Sequence, residues 1–126
     1  MAGPLAALAA LLVAAGAAGP PPAGRYDARL CVTVSTQAPS CGPAEAHISA
    51  EGELRVQVND IAYHLSFEQG TLLGVTTHGN VQVAEFVSSY RWAGSTLLFA
   101  DPARGLQYEV QLGANDSAPG ASAASR

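Results

Sequence analysis

The sequence predicts an all-β fold: an antiparallel meander of about seven to eight short strands, arranged as a small barrel or a curled sandwich. Three observations lead to this prediction. Apolar and polar residues alternate in most segments between residues 25 and 112, which is the period of a half-buried strand. Turn signals containing Gly or Asn separate these segments. No proline occurs between Ala44 and Asp101, as uninterrupted strands require.

Eight segments carry the strand signal, and none has a convincing helical period. Most are joined by turns of two to five residues, so segments that are adjacent in the sequence are expected to pair in space. The segments are RLCVTVS (29–35), AHIS (46–49), ELRVQV (53–58), IAYHLSF (61–67), TLLGVTT (71–77), VQVAEFVSSYRW (81–92), STLLFA (95–100) and LQYEVQL (106–112).

The first two segments precede the clearest part of the pattern. The first alternates the aliphatic residues Leu30, Val32 and Val34 with polar or small ones, and the second is short. If Ala50-Glu51-Gly52 forms the turn between the second and third segments, apolar residues of one segment lie opposite apolar residues of the other, and polar residues lie opposite polar ones. The predicted pairs are Ile48–Leu54 and His47–Arg55.

The third, fourth and fifth segments are joined by two short turns. We interpret Asn59-Asp60 as a two-residue turn, because the apolar faces of both flanking strands then coincide. The predicted pairs are Val58–Ile61, Val56–Tyr63, Leu54–Leu65 and Arg55–His64. A three-residue turn at Glu68-Gln69-Gly70 would again match the apolar sets. The pairs predicted there are Leu65–Leu73, Tyr63–Val75 and Ile61–Thr77.

The sixth segment is long and carries apolar residues on both faces. It is either covered on both sides or bulged around Ser88-Ser89, which would swap its faces. A long strand that bends favours a small barrel or curled sandwich over a flat sheet. The next hairpin, around Ala93-Gly94, places Tyr90 opposite Leu97 and Trp92 beside the turn. The eighth segment alternates apolar residues with Gln and Glu.

Composition divides the chain into four parts. Residues 1–17 hold an apolar run that ends at Ala-Gly-Ala, which predicts a cleavable signal peptide. No Lys or Arg precedes the run, so a native start upstream, or an apolar tail that stays attached, is the alternative. Residues 18–24 form a Pro/Gly spacer, residues 25–112 the β domain, and residues 113–126 a tail expected to be disordered. The run is short for a bilayer, so we expect no transmembrane span in the mature chain.

The cysteines indicate the compartment. Cys31 and Cys41 are the only two, and they lack the C-x-x-C spacing of a redox motif. In an oxidising compartment they are expected to form a disulfide, worth about 3 kcal/mol on the chain-entropy model. With the leader, this predicts a periplasmic or secreted protein. The alternative is a pair of free thiols in a cytosolic protein.

Charge and motifs argue against several classes of function. The net charge is −4, and nucleic-acid binding is not expected without clustered basic residues to neutralise phosphates. The acidic residues are scattered, and the sequence contains no H-E-x-x-H, G-x-G-x-x-G, Walker or G-x-S-x-G motif. We therefore predict no catalytic residue, no metal, no cofactor and no enzymatic activity, with a hydrolase as the least favoured function.

The predicted pairing places His47, Arg55 and His64 in one row on the polar face. The two histidines lie two strand spacings, about 9.6 Å, apart, with a permanently charged arginine between them, which disfavours a metal site. We interpret the row as solvated side chains. A functional row would bind an anion or an acidic partner, more strongly below about pH 6.5. His78 is expected to face Asp60 as a local pair.

The stretch Tyr90-Arg91-Trp92 is the other candidate binding feature. A tryptophan near an exposed hairpin tip, with an arginine beside it, is typical of recognition surfaces. The alternative is that Trp92 covers one end of the core. Asn115-Asp116-Ser117 is a glycosylation sequon, which matters only in a eukaryotic secretory pathway. The candidate binding residues are Trp92, Arg91, Tyr90, His47, Arg55 and His64.

The leader, the short cysteine loop and the closing stretch YRWAGSTLLFAD…YEVQL resemble the small exported β-meander proteins of GC-rich Gram-negative bacteria. The resemblance spans most of the chain and rests on no diagnostic motif. Proteins of that shape include periplasmic lysozyme inhibitors, but their signature loop is absent here, so no residue is carried over. The resemblance implies an exported β domain and leaves its function open.

The function predicted first is protein–protein interaction or inhibition of an envelope enzyme. A cationic envelope protein is the expected partner, because the chain is acidic. The alternative is a carrier that holds a small apolar ligand inside a β-barrel. The sequence leaves open the identity of the partner or ligand and the oligomeric state.

Overall fold

The computed structural model describes residues 20–115, with side chains described through residue 113, as eight β-strands and one 3-10 helix. Residues 1–19 and 116–126, with the predicted signal peptide and most of the predicted tail, lie outside the described residues. The strands are β1 (Gly24–Val34), β2 (Ser40–Ile48), β3 (Leu54–Val58), β4 (Ile61–Glu68), β5 (Thr71–His78), β6 (Val81–Ala93), β7 (Thr96–Asp101) and β8 (Leu106–Asn115), and the 3-10 helix is Pro102–Arg104.

The strands form one closed antiparallel barrel. Each strand pairs with its sequence neighbours, and β8 closes the barrel by pairing with β1. The predicted all-β meander is confirmed, and of the two predicted architectures the structure is the barrel. Closure pairs the first and last strands, whose outer backbone N–H and C=O groups would otherwise form exposed sheet edges.

Three strand boundaries differ from those predicted by more than one residue. Strands β1 and β2 begin earlier, at Gly24 and Ser40. Pro43 lies inside β2, at a position that pairs with β1 but not with β3. Because a hydrogen-bonding partner is present on one side only, the missing N–H of proline is tolerated there. At the other end β8 runs to Asn115, so residues 113–115 of the predicted tail belong to a strand.

Two predicted registers are confirmed, and they concern the strands that carry the histidine row. Strands β2 and β3 pair with His47 opposite Arg55. Strands β3 and β4 pair with Arg55 opposite His64. The short turns that join these strands therefore have the lengths that the alternation of apolar and polar residues predicted.

The predicted register of β4 and β5 is wrong by one residue. Leu65 lies opposite Gly74 and not Leu73. The cause is the turn, which consists of two residues, Gln69 and Gly70, with φ of 51° and 80°. Two positive φ values are typical of a type I′ hairpin turn, which Gln-Gly signals less clearly than Asn-Gly. The other corrected pairs are Tyr63–Thr76 and Ile61–His78.

Strand β6 contains a bulge at Val83, opposite the Thr76-Thr77 step of β5. The bulge predicted at Ser88-Ser89 was wrong, because burial alternates without interruption from residue 84 to residue 92. The strand is not covered on both sides either. The strand has apolar residues on both faces because its outer face carries exposed valines: Val81, Val83 and Val87 are 63%, 47% and 58% exposed.

Strand β6 changes partner along its length, which lets a long strand follow the curved wall. It pairs with β5 through Ser89 and with β7 from Tyr90 onward. Next to this change the buried Ser88 Oγ accepts a hydrogen bond of 3.0 Å from the Ala100 N–H. Tyr90 lies opposite Phe99 and not Leu97, because the turn is centred one residue later than predicted.

The barrel interior is occupied by the chain's own side chains. The largest fully buried ones are Leu54, Leu65, Leu72, Leu97, Val56 and Val110. Phe86, Phe99 and Tyr108 form a stack with ring centroids 4.8 to 6.1 Å apart. Gly74 lies directly opposite Phe86, and a Cβ on Gly74 would lie 2.2 Å from the Phe86 Cζ. The ring therefore covers the glycine backbone, as aromatic residues do at strand glycines.

The predicted disulfide is confirmed. Cys31 and Cys41 lie directly opposite each other on β1 and β2, with Cα atoms 4.0 Å apart, and their sulfur atoms are bonded. A stable disulfide is typical of proteins in oxidising compartments. Within residues 20–115 no helix has the length and apolar composition needed to cross a bilayer.

Candidate functional site

One end of the barrel carries a cluster of three aromatic side chains, Phe67, Tyr90 and Trp92. Phe67 lies near the end of β4, and Tyr90 and Trp92 occupy alternate inward positions near the end of β6. The rings of Phe67 and Tyr90 meet edge to face with centroids 4.8 Å apart, and Trp92 is tilted against Phe67 at 6.5 Å. Each ring is only partly buried, so part of its surface is accessible to a ligand.

Three exposed carboxylates surround this cluster. Glu51 and Glu53 come from the turn between β2 and β3, and Glu68 ends β4. Within residues 20–115 the one ion pair is that of the Arg104 and Asp101 side chains, so none of the three glutamates is paired with a cation. Carboxylates and rings line a groove of about 280 Å³. We call it the end pocket, defined by Glu51, Glu53, Phe67, Glu68, Tyr90 and Trp92.

The backbone around the end pocket is held by local hydrogen bonds. The Ser49 N–H donates to the Glu53 carbonyl at 2.8 Å, and the Gly52 N–H donates to the Ser49 carbonyl at 2.9 Å. The Ser49 Oγ accepts a further bond of 3.1 Å from the Glu53 N–H. Beside the pocket the buried Tyr26 hydroxyl donates to the Pro22 carbonyl, which ties the segment before β1 to the barrel. Two of the carboxylates therefore project from a defined turn.

The structure brings two of the three predicted aromatic-stretch residues into the end pocket. Tyr90 and Trp92 face inward, whereas Arg91, between them on β6, is exposed on the outer face. Trp92 covers one end of the core and remains partly accessible. Sequence reasoning missed Phe67, because β4 and β6 are not neighbours and their contact crosses the barrel interior. It also missed the glutamates, which carry no motif.

The second polar feature lies on the outer face of the first four strands. The row predicted across β2, β3 and β4 is present, and Arg25 of β1 extends it because it lies opposite His47. The basic row thus consists of Arg25, His47, Arg55 and His64. Asp27 and Glu45, opposite each other on β1 and β2, form an acidic pair beside it. Arg25 was missed because β1 was predicted to begin later, although the alternation in RYDAR indicates it.

His64 and His78 differ in their contacts. His64 Nε2 lies 3.2 Å from Thr77 Oγ1, within hydrogen-bond distance. His78 lies opposite Ile61 and not Asp60, which corrects the predicted local pair and follows from the shorter β4–β5 turn. No group of three or more His, Cys, Asp or Glu side chains that could hold a metal ion occurs in the part of the chain that the structure describes.

At the opposite end of the barrel the carboxylate of Asp101, 3% exposed, is paired with Arg104 through Oδ2 and Nε atoms 3.7 Å apart. Arg104 Nη2 also donates to the Val83 carbonyl at 3.2 Å, which links the 3-10 helix to β6. Burial, followed by the nearby Tyr63 and Asp101, raises the pKa of Tyr108 to about 12. Burial also raises the pKa of Tyr63. Both phenols therefore stay protonated at neutral pH.

Comparison with known proteins yields no relative: no protein family, no curated protein and no solved structure matches this chain. A β-barrel by itself hosts many unrelated functions. The end pocket and the basic row are therefore the features whose chemistry indicates a function.

Proposed function

We propose that this protein is an exported, non-enzymatic binding domain that holds a basic side chain of a cationic partner protein in its end pocket. One observation carries the proposal. Three partly exposed aromatic rings, with Phe67 in contact with the other two, lie beside three carboxylates that, within residues 20–115, have no cationic partner. The disulfide and the apolar leader support export to the periplasm or beyond the cell.

The end pocket combines the two groups that bind an organic cation. A cation over an aromatic face is attracted by the ring quadrupole, worth about 0.5–2 kcal/mol depending on desolvation, and tryptophan binds best. A guanidinium can also form two parallel hydrogen bonds to a carboxylate. Arginine is favoured over lysine, because its planar fork both stacks on a ring and pairs with a carboxylate.

The size of the pocket favours one side chain over a whole small molecule. Its volume is about 280 Å³, below the range of about 300–1,000 Å³ that is typical of sites for drug-sized ligands. The net charge of −4 would attract a basic protein and make its association sensitive to salt. If the captured arginine belongs to the active site of an envelope enzyme, binding inhibits that enzyme.

The alternative, a carrier that holds an apolar ligand inside the barrel, is not favoured by the packing of the core. Such a carrier needs space inside the barrel, and the buried core is built from side chains of all eight strands. The end pocket, by contrast, opens at the surface and is rimmed by charges. These are properties of a site for a polar group presented by another molecule.

The test uses Trp92, which is the only tryptophan in the chain and therefore reports from inside the pocket. Its fluorescence is followed while the folded protein is titrated with the peptide Gly-Arg-Gly. The same peptide with citrulline in place of arginine keeps the shape and removes the charge. We expect a saturable change with arginine, weakened by salt, and none with citrulline.

Two triple variants of equal charge separate the pocket from general electrostatics. One replaces Glu51, Glu53 and Glu68 by Gln, and we expect about tenfold weaker binding, from a loss of about 0.5 kcal/mol at each exposed carboxylate. The matched control carries Glu45→Gln, Asp60→Asn and Glu85→Gln, all exposed and outside the pocket. Equal weakening by both variants, or the same response to citrulline, would overturn the proposal.

A further inference from the structure

The basic row has the geometry of a clamp for an oxyanion. Arg25, His47 and Arg55 lie directly opposite one another on three consecutive strands. Since neighbouring strands are about 4.8 Å apart, the two arginines flank His47 within a span of about 10 Å. All three side chains are exposed, and they line one groove of about 370 Å³. The two long guanidinium side chains can therefore meet at one anion above the imidazole.

Surface stability does not account for this arrangement. Within the described residues neither Arg25 nor Arg55 is paired with a carboxylate. Asp27 lies two residues after Arg25 on β1, and Glu45 lies opposite Asp27 on β2. Asp27 and Glu45 line the same groove, at the register position two residues from that of the basic row. The guanidinium groups are therefore available to a ligand at the basic end of the groove.

We propose that Arg25, His47 and Arg55 form a second binding site, distinct from the end pocket, for a doubly charged tetrahedral oxyanion, a sulfate or phosphate group. The guanidinium groups supply paired N–H donors that match such oxygens. His47 supplies a ring N–H as a further donor.

The surroundings of His47 determine what else the site accepts. Arg25 on β1 and Arg55 on β3 face it across the strands, and Glu45 lies two residues away on its own strand. Asp27 and Gln57 are its diagonal neighbours, and the Gln57 amide donates to the Asn59 carbonyl. The acidic side repels further negative charge, so the site accepts one oxyanion and disfavours an extended polyanion.

Inorganic sulfate is the first probe, because it is doubly charged at neutral pH. The uniformly ¹⁵N-labelled protein is titrated with sulfate at fixed ionic strength, with chloride as the balancing anion, and backbone amide shifts are recorded. We expect saturable shifts confined to β1–β3, with a Kd on the order of 1 mM. O-Phosphoserine should bind at the same residues.

Exposed substitutions test the clamp while leaving the core unchanged. Arg25→Gln and Arg55→Gln should each weaken binding about tenfold, as expected for one charge-assisted pair. His47→Ala, which removes the ring donor between the two arginines, should also weaken binding. Arg29→Gln is the matched control, because Arg29 is exposed on the same strand and face but lies outside the row. Equal weakening by the control, shifts that do not saturate, or binding only to vesicles of anionic lipid would overturn the proposal.

Discussion

Replacement of Gly74 by Ala measures how tightly the barrel interior is packed. Gly74 is buried on β5 opposite Phe86, and its φ is not in the left-handed region, so alanine can adopt the backbone conformation. The obstacle is the ring. An alanine Cβ would lie 2.2 Å from the Phe86 Cζ and 2.6 Å from both Cε atoms. An ordinary contact begins at 3.4 Å, so ring and backbone must separate by about 1.2 Å.

The cost follows from what holds the ring in place. Phe86 is 6% exposed and stacks parallel to Phe99 at 6.0 Å, with Tyr108 at 6.1 Å, so a shift disturbs the whole stack. Overpacking of a core costs about 1–3 kcal/mol. Replacing glycine also lowers the conformational entropy of the unfolded chain, which stabilises the folded state by about 0.4–1 kcal/mol. We expect a net destabilisation of about 2 kcal/mol, or a Tm lower by about 8–16 °C for a domain of this size.

Thermal and urea unfolding of the Gly74→Ala variant provide the assay. Gly42→Ala is the control, because no atom lies within 4 Å of a Cβ built at Gly42, and we expect a change below about 0.5 kcal/mol. The double variant with Phe86→Leu removes the ring that causes the conflict. Its destabilisation should therefore be less than the sum of the two single effects. Equal stabilities of the Gly74→Ala and Gly42→Ala variants, or strict additivity, would refute the reasoning.

Three further predictions concern the covalent state and the titration of the chain. Reduction of the Cys31–Cys41 bond, or replacement of both cysteines by Ala, should lower the free energy of unfolding by about 3 kcal/mol in urea; no change in the midpoint would contradict this. Because the pKa of Tyr108 is about 12 in the folded state and the ordinary value for tyrosine is 10.0, the folded state favours the protonated phenol. The resulting stabilisation is complete below about pH 10 and is lost as the pH rises toward about 12; Tyr108→Phe should reduce this alkaline loss and leave the part that Tyr63 causes, and an unchanged slope would exclude Tyr108 as a source. Native mass spectrometry of the exported fraction should show a chain that begins near Ala18 and is two hydrogens lighter than its reduced form; a full-length chain with reduced thiols would contradict export.

Strand order and most strand positions could be predicted because alternation and turn chemistry are local signals. Asn59-Asp60 is typical of a two-residue hairpin turn, and the register around it was predicted correctly. Gln69-Gly70 forms a turn of the same length. There the presence of Gly70 favoured a three-residue turn equally well, and a one-residue error exchanges the faces of a strand. That exchange is why Leu73 was expected in the core and is 37% exposed.

The candidate sites were predictable only as far as they lie within neighbouring strands. The row of His47, Arg55 and His64 follows from two hairpin registers, and the structure contains it. The contact between Phe67 and Trp92 joins strands separated by another strand and depends on how the barrel closes. Closure is a property of twist and stagger over all eight strands. No local pattern could have indicated that contact.

Because β1 pairs with β8, the first and last strands of the chain are neighbours in the closed barrel. Tyr26 lies opposite Asn115, so the two ends of the folded part are neighbours in space. A short linker joining them, with new ends opened at the Gly79-Asn80 turn, would keep every strand in place. The β1–β8 pair would then become a local hairpin, and β5–β6 would become the strand pair of greatest sequence separation. Because folding rate follows the sequence distance of contacts, and one distant pair replaces another, the permuted chain should reach the same barrel at about the natural rate.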